Sequence, residues 1–82
     1  MFMPIFETKP LSRAKAGKTM EVVDLVGGER ATRRLLEMGL YEGASIEVIS
    51  GRGWGPVVLK LAGTRLALGR GMAKQILVRE SR

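Results

Sequence analysis

The sequence predicts a mostly β domain, a small barrel of about five strands with one short amphipathic helix between strands 1 and 2. Three observations lead there. Short runs rich in Val, Ile and Leu are punctuated by turn-forming glycines, eleven of them in 82 residues. Only residues 29 to 38 change to a helical period. A chain this short buries only roughly 60% of the surface that its unfolded form exposes, so the core must be small and shared among all the strands.

Residues 1 to 9, which hold Pro4 and two Phe, are expected to form an arm outside the domain, which then runs from 10 to 82. In Pro10-Leu11-Ser12-Arg13-Ala14-Lys15-Ala16-Gly17, Ser12 is the expected cap of a single helical turn that Gly17 ends. Thr19 to Leu25 is rich in β-branched and long apolar residues and lies between glycines, so it reads as the first strand. Ala31, Leu35 and Met38 then fall at i, i+4 and i+7, with Leu36 beside them, while Arg30, Arg33, Arg34 and Glu37 take the rest of the surface. Glu29 suits the positive end of the helix macrodipole, and Gly39 stands where a left-handed residue ends a helix.

The turn Tyr41-Glu42-Gly43 leads into Ser45 to Ile49, where Ile46 and Val48 share one face and Glu47 takes the other. Residues 51 to 56 are a turn cluster, and Val57 to Leu61 is the return strand of a hairpin. Gly63-Thr64 turns the chain again into a fourth strand, Arg65 to Leu68. Residues 69 to 75 form a tight single turn, and Ile76 to Arg79 is the last strand. Strands this short would leave bare edges in an open sheet, so closure into a barrel is expected.

Composition removes whole classes of function. With no Cys and no His, disulfides, thiolate or imidazole metal sites and His-based acid–base catalysis are excluded. The carboxylates Asp24, Glu37, Glu42 and Glu47 are spread over three elements, so no metal site and no cofactor are expected. Ser and Lys occur without an activating partner, and an enzyme is not expected. Nothing approaches the ~20 apolar residues that span a bilayer, and the apolar start lacks a basic lead-in, so the expected location is the cytoplasm. Fourteen Lys and Arg against eight Asp and Glu give a formal charge of +6, which favours acidic partners.

The series Arg34-Leu35-Leu36-Glu37-Met38-Gly39-Leu40, Gly43 and Ile46-Glu47-Val48 resembles the central signature of the FeoA family. Pro10-Leu11-Ser12 with Gly17, Gly55-Pro56-Val57-Val58, Leu66-Ala67-Leu68, Met72-Ala73 and Ile76-Leu77-Val78 extend the resemblance from about Pro10 to Glu80. Tyr41-Glu42 and the apolar arm depart from it. The resemblance implies an SH3-like barrel and a cytosolic protein of ferrous iron transport, with transition-metal binding a family-level attribute. It implies work beside FeoB, a membrane permease with a GTP-binding cytosolic domain. The same barrel ends iron-dependent transcription repressors, but here no helix-turn-helix precedes it, so the free-standing protein is expected.

Several motifs have a bland reading beside a functional one. Ala16-Gly17-Lys18-Thr19 imitates the end of a P-loop, but Ser12 stands where the first Gly is required and a strand follows, so a solvated turn is expected. Gly27-Gly28 before the helix would suit an anion, but Glu29 competes with one, and a flexible link that aims the helix across the barrel is expected. The helical face of Arg33, Arg34 and Glu37 is either a solvated face with i,i+4 pairs from Arg33 to Glu29 and Glu37, or a docking face for acidic side chains. Trp54, at a predicted hairpin tip beside Arg52, either folds back over the barrel end or stands out as an interface anchor. Arg33, Arg34, Glu37, Arg52 and Trp54 are therefore the candidate partner-binding residues. A basic barrel that binds nucleic acid is the alternative. Its aromatic residues are few for base stacking, namely Phe2, Phe6, Tyr41 and Trp54, so nucleic acid is not the expected partner. A weak homo-oligomer is compatible with such a barrel.

Overall fold

The structure, a computed structural model, describes residues 7–51 and 53–81. Its strands are β1 (Lys9–Pro10), β2 (Thr19–Leu25), β3 (Ser45–Ser50), β4 (Val57–Leu61), β5 (Thr64–Leu68) and β6 (Ile76–Glu80). The helices are α1 (Glu29–Glu37) and the single turn α2 (Arg70–Ala73). All strands pair antiparallel in the order β1-β6-β2-β3-β4-β5.

The core is the inward face of this sheet. Met20 and Val22 from β2, Ile46 and Val48 from β3, Val57 and Leu59 from β4, Leu68 from β5 and Ile76 and Val78 from β6 are all buried. Their period of two is the alternation visible in the sequence. Leu11, Ala14, Leu35, Leu40, Ala44 and Ala73 cap the same cluster from the connecting segments. Two bulges curve the sheet around it. The register slips between Val22 and Asp24 on β2 and between Val48 and Ser50 on β3, and each extra residue bends its strand.

Among the described residues the sheet does not close by strand pairing, contrary to the expectation of a closed barrel. It has six strands among the described residues, because Lys9 and Pro10 pair with Val78 and Leu77, and its edges there are β1 and β5. Closure is unnecessary because β1 offers only two residues of edge and the chain around Leu11 and α2 fills the gap between the sheet ends. Pairing begins at Lys9, within the predicted arm, whose residues 1 to 6 lie outside the described residues. The helix joins β2 to β3, the first two predicted strands, and so falls between the second and third of the six observed.

Ser12 does not act as a cap. A 3-10 turn spans Leu11–Arg13 with Pro10 at its cap position, no side-chain bond is made there, and Ser12 is buried. The end of α1 follows its sequence signals closely. Gly39, at φ +93°, donates to the Leu36 carbonyl at 3.0 Å and Leu40 donates to the Leu35 carbonyl at 3.0 Å, the paired bonds of a Schellman motif. Leu35 and Leu40 are fully buried. Leu36, expected beside the buried face, is instead 48% exposed, because a nine-residue helix lying on a small core buries only a narrow stripe.

Leu35 is the one buried residue of α1, so Leu35→Ala should lower the unfolding free energy by about 2–4 kcal/mol. Leu36→Ala should change it by less than about 0.5 kcal/mol. Urea denaturation of the two variants checks both.

Candidate functional site

Arg30, Arg33, Arg34 and Glu37 all project from the exposed surface of α1. The predicted i,i+4 pairs of Arg33 with Glu29 and Glu37 do not form. Among the described residues the ion pairs are Lys18–Glu80 at 3.5 Å and Arg79–Glu21 at 3.1 Å, both between neighbouring segments of the sheet. Glu21 and Arg79 face each other across β2 and β6, where register holds the charges together; on α1 the side chains are exposed and nothing fixes them. Among the described residues the guanidinium groups of the helix are therefore without an ion-pair partner.

Trp54 is 97% exposed, which excludes the folded-back reading. Gly53 and Gly55 on either side have φ of +91° and +87°, so the chain turns sharply around the indole and leaves it unsupported by neighbours. Below this tip the hairpin is anchored. The Arg70 guanidinium donates to the Gly55 carbonyl at 2.9 Å through Nη1 and to the Ser12 carbonyl at 2.7 Å through Nη2, which also reaches the Gly51 carbonyl. A planar fork suits several acceptors at once in a way that an ammonium does not. The exposed tryptophan thus stands on a stem held at both ends.

Of the sequence-predicted residues, the structure brings Arg33, Arg34 and Glu37 together and sets Trp54 apart. Arg52 lies outside the described residues. α1 enters from the end of β2 and leaves into the start of β3, whereas the Trp54 turn follows the end of β3. The length of β3 separates them, six residues or roughly 20 Å at strand rise. They make two surfaces, one at each end of the sheet.

Sequence reasoning missed Arg70 and an apolar cleft beside α1. The only hint of Arg70 was a long polar side chain set between Gly69 and Gly71, where the backbone is free to approach. The cleft, of about 350 Å³, is lined by Met38, Tyr41, Leu61, Thr64 and Leu66. No local signal marks it, because it forms between the exit of α1 and the β4–β5 hairpin, segments that meet only in the fold. Ala16 to Lys18 form an exposed turn, and Gly17 donates to the Val48 carbonyl at 2.8 Å. Gly27, at φ +125°, lies against the Gln75 side chain, with a Cβ position 3.1 Å from Nε2, whereas Gly28 has open space around it, so the link expected to be flexible is held on one side at Gly27. Among the described residues no group of three or more Asp and Glu is placed to hold a metal ion, and no helix is long and apolar enough to cross a membrane.

A curved antiparallel sheet over one small core, with a helix across the second connection, defines an SH3-like domain. The FeoA domain model matches residues 9–80, and the chain belongs to the FeoA family. It is 36% identical over 72 residues to the "Putative Fe(2+) transport protein A" of Methanocaldococcus jannaschii, covering 88% of this chain and 87% of that protein. A crystal structure of an iron uptake regulatory protein, FeoA, superposes with a TM-score of 0.85 at 36% identity, covering 92% of this chain and all of the other. The solution structure of a FeoA-like protein from Clostridium acetobutylicum gives 0.80 at 25% identity, over 95% of this chain and 92% of that one. A manganese-dependent transcriptional repressor shares the fold, with a TM-score of 0.82 at 19% identity, over 95% of this chain and 44% of its own. Membership of the FeoA family places this protein in ferrous iron transport.

Arg70→Met leaves the Ser12 and Gly51 carbonyls without their charged donor and should cost about 2–3 kcal/mol in thermal unfolding. Trp54→Ala removes an indole that packs on nothing and should stay within about 0.5 kcal/mol of the parent.

Proposed function

We propose that this chain is a non-enzymatic, cytosolic adaptor of ferrous iron transport that docks on the cytosolic side of a FeoB-type GTP-binding permease. The observation that carries the reading is Trp54, a fully presented indole on a hairpin that Arg70 holds in place. Tryptophan is the residue most enriched among binding hot spots, and a rigid stem lowers the ordering cost of burying it. The unpaired Arg33 and Arg34 on α1 supply a second, electrostatic contact to acidic side chains, with Glu37 bounding it. Arg52, beside Trp54 in sequence, belongs to the first contact.

An adaptor of this kind regulates by binding one state of the transporter more tightly than another, and so needs no catalytic group of its own. The protein regulates iron movement without carrying iron in this reading. Nucleic-acid binding is less well supported. The two described aromatics, Tyr41 and Trp54, sit at opposite ends of the sheet and cannot form one stacking platform.

A pull-down from nuclease-treated membranes tests the proposal. A FeoB-type permease should be retained at moderate salt. Trp54→Ala should weaken retention about tenfold or more, and the Arg33→Glu/Arg34→Glu double variant should weaken it strongly and reduce its salt dependence. Retention of nucleic acid alone, lost as salt rises, would replace the adaptor by a nucleic-acid-binding module.

A further inference from the structure

β5 is an edge strand whose outer side pairs with nothing among the described residues. Its register shows which backbone groups are free. Ala62 and Gly63, at φ +50° and +83°, form a two-residue turn with both residues left-handed, the type I′ hairpin, so the flanking pair Leu61–Thr64 exchanges both hydrogen bonds. Antiparallel pairs alternate, so Leu59–Leu66 and Val57–Leu68 are bonded as well. The N–H and C=O groups of Arg65 and Ala67 therefore point away from β4. Arg65 and Ala67 carry exposed side chains on the outer face, while Leu66 turns inward to the apolar cleft with Met38, Tyr41 and Leu61.

We propose that this edge is a further docking site, which takes an extended acidic and apolar segment of a partner protein as an added strand. The backbone of the segment bonds to Arg65 and Ala67. Alternate side chains enter the cleft over Leu66, and a carboxylate on the opposite face meets Arg65. Lys60 lies directly across from Arg65 on β4 and is also exposed; Glu47 faces Lys60 from β3, so Arg65, at the outer edge and farther from that carboxylate, is the cation that an added strand would meet. A second copy of the chain fits less well. Antiparallel pairing about Leu66 would set Arg65 against Ala67 of the other copy, but it would place both Arg65 side chains on one face only two positions apart. The single Arg65 thus discourages self-pairing and selects a strand that carries the opposite charge.

The site is independent of the permease reading and is tested without a permease. The full chain, labelled with 15N, is titrated with a short synthetic peptide that alternates glutamate with valine and leucine. Binding should slow hydrogen exchange at the Arg65 and Ala67 amides and shift the resonances of Leu66, Met38 and Tyr41. Arg65→Glu should weaken binding about tenfold or more. Ala67→Pro removes an outward N–H and none of the β4–β5 bonds, so it should abolish binding in a folded protein. The Arg65 variant carries the test if the proline variant fails to fold. Trp54→Ala and the Arg33→Glu/Arg34→Glu double variant should bind the peptide like the parent. Unchanged exchange at Arg65 and Ala67 with millimolar peptide overturns the proposal, as does a loss of binding in the α1 variants rather than in Arg65→Glu.

Discussion

The structure turns on one side chain that bridges the ends of an open sheet. Arg70 follows the edge strand β5, and Ser12 follows the edge strand β1. By donating to the Ser12 carbonyl and to the carbonyls of Gly51 and Gly55, Arg70 links both edges to the hairpin that joins β3 to β4. The six strands of the described residues, which do not close by backbone bonds, are thereby held around a single core. The Ser12 and Gly51 carbonyls are part-buried, where an acceptor without a donor costs free energy, so these two and the fork depend on one another, while the Gly55 bond is exposed. Core packing on the sheet face and this tie at its end act together, because the tie places Leu11 and Ala73 over the strands.

The same constraint shapes how the protein can engage others. A domain of this size has little free energy to spare for ordering loops on binding. Trp54 extends from a stem already fixed, and the Schellman motif at Gly39 ends α1 at a set point with its guanidinium groups outward. The β5 edge is likewise set by its two-residue turn. Each surface is presented by a rigid element, and the β5 edge adjoins the exit of α1 through the apolar cleft, while the Trp54 turn lies beyond the far end of β3.

Much of the fold was legible because it rests on local physics. The first strand, Thr19 to Leu25, was bounded by glycines, and the helix was bracketed by Glu29 and Gly39; both appear where those signals put them. The candidate residues on α1 were legible as a charged face, and Trp54 as an oddity at a turn. Less visible were the two-residue β1, which has no pattern of its own and exists only because β6 offers partners, and the exposure of Leu36, which depends on how little of α1 the core can cover. Ser12 looked like a cap because its side chain can serve as one, whereas the fold uses its backbone carbonyl.

The sequence by itself determined the periods, the turns and the chemical inventory: alternating apolar residues, glycines where φ must be positive, no Cys or His, and an excess of Arg and Lys. These are properties of neighbouring residues, so a linear reading reaches them. Tertiary structure decided which distant segments meet. It separated Trp54 from Arg33 and Arg34 by the length of β3, and it turned the Arg65 and Ala67 backbone groups away from β4. It also joined Arg70 to carbonyls 15, 19 and 58 residues away. Such contacts come from strand order and from the bulges that curve the sheet, and no local pattern in the chain encodes either alone.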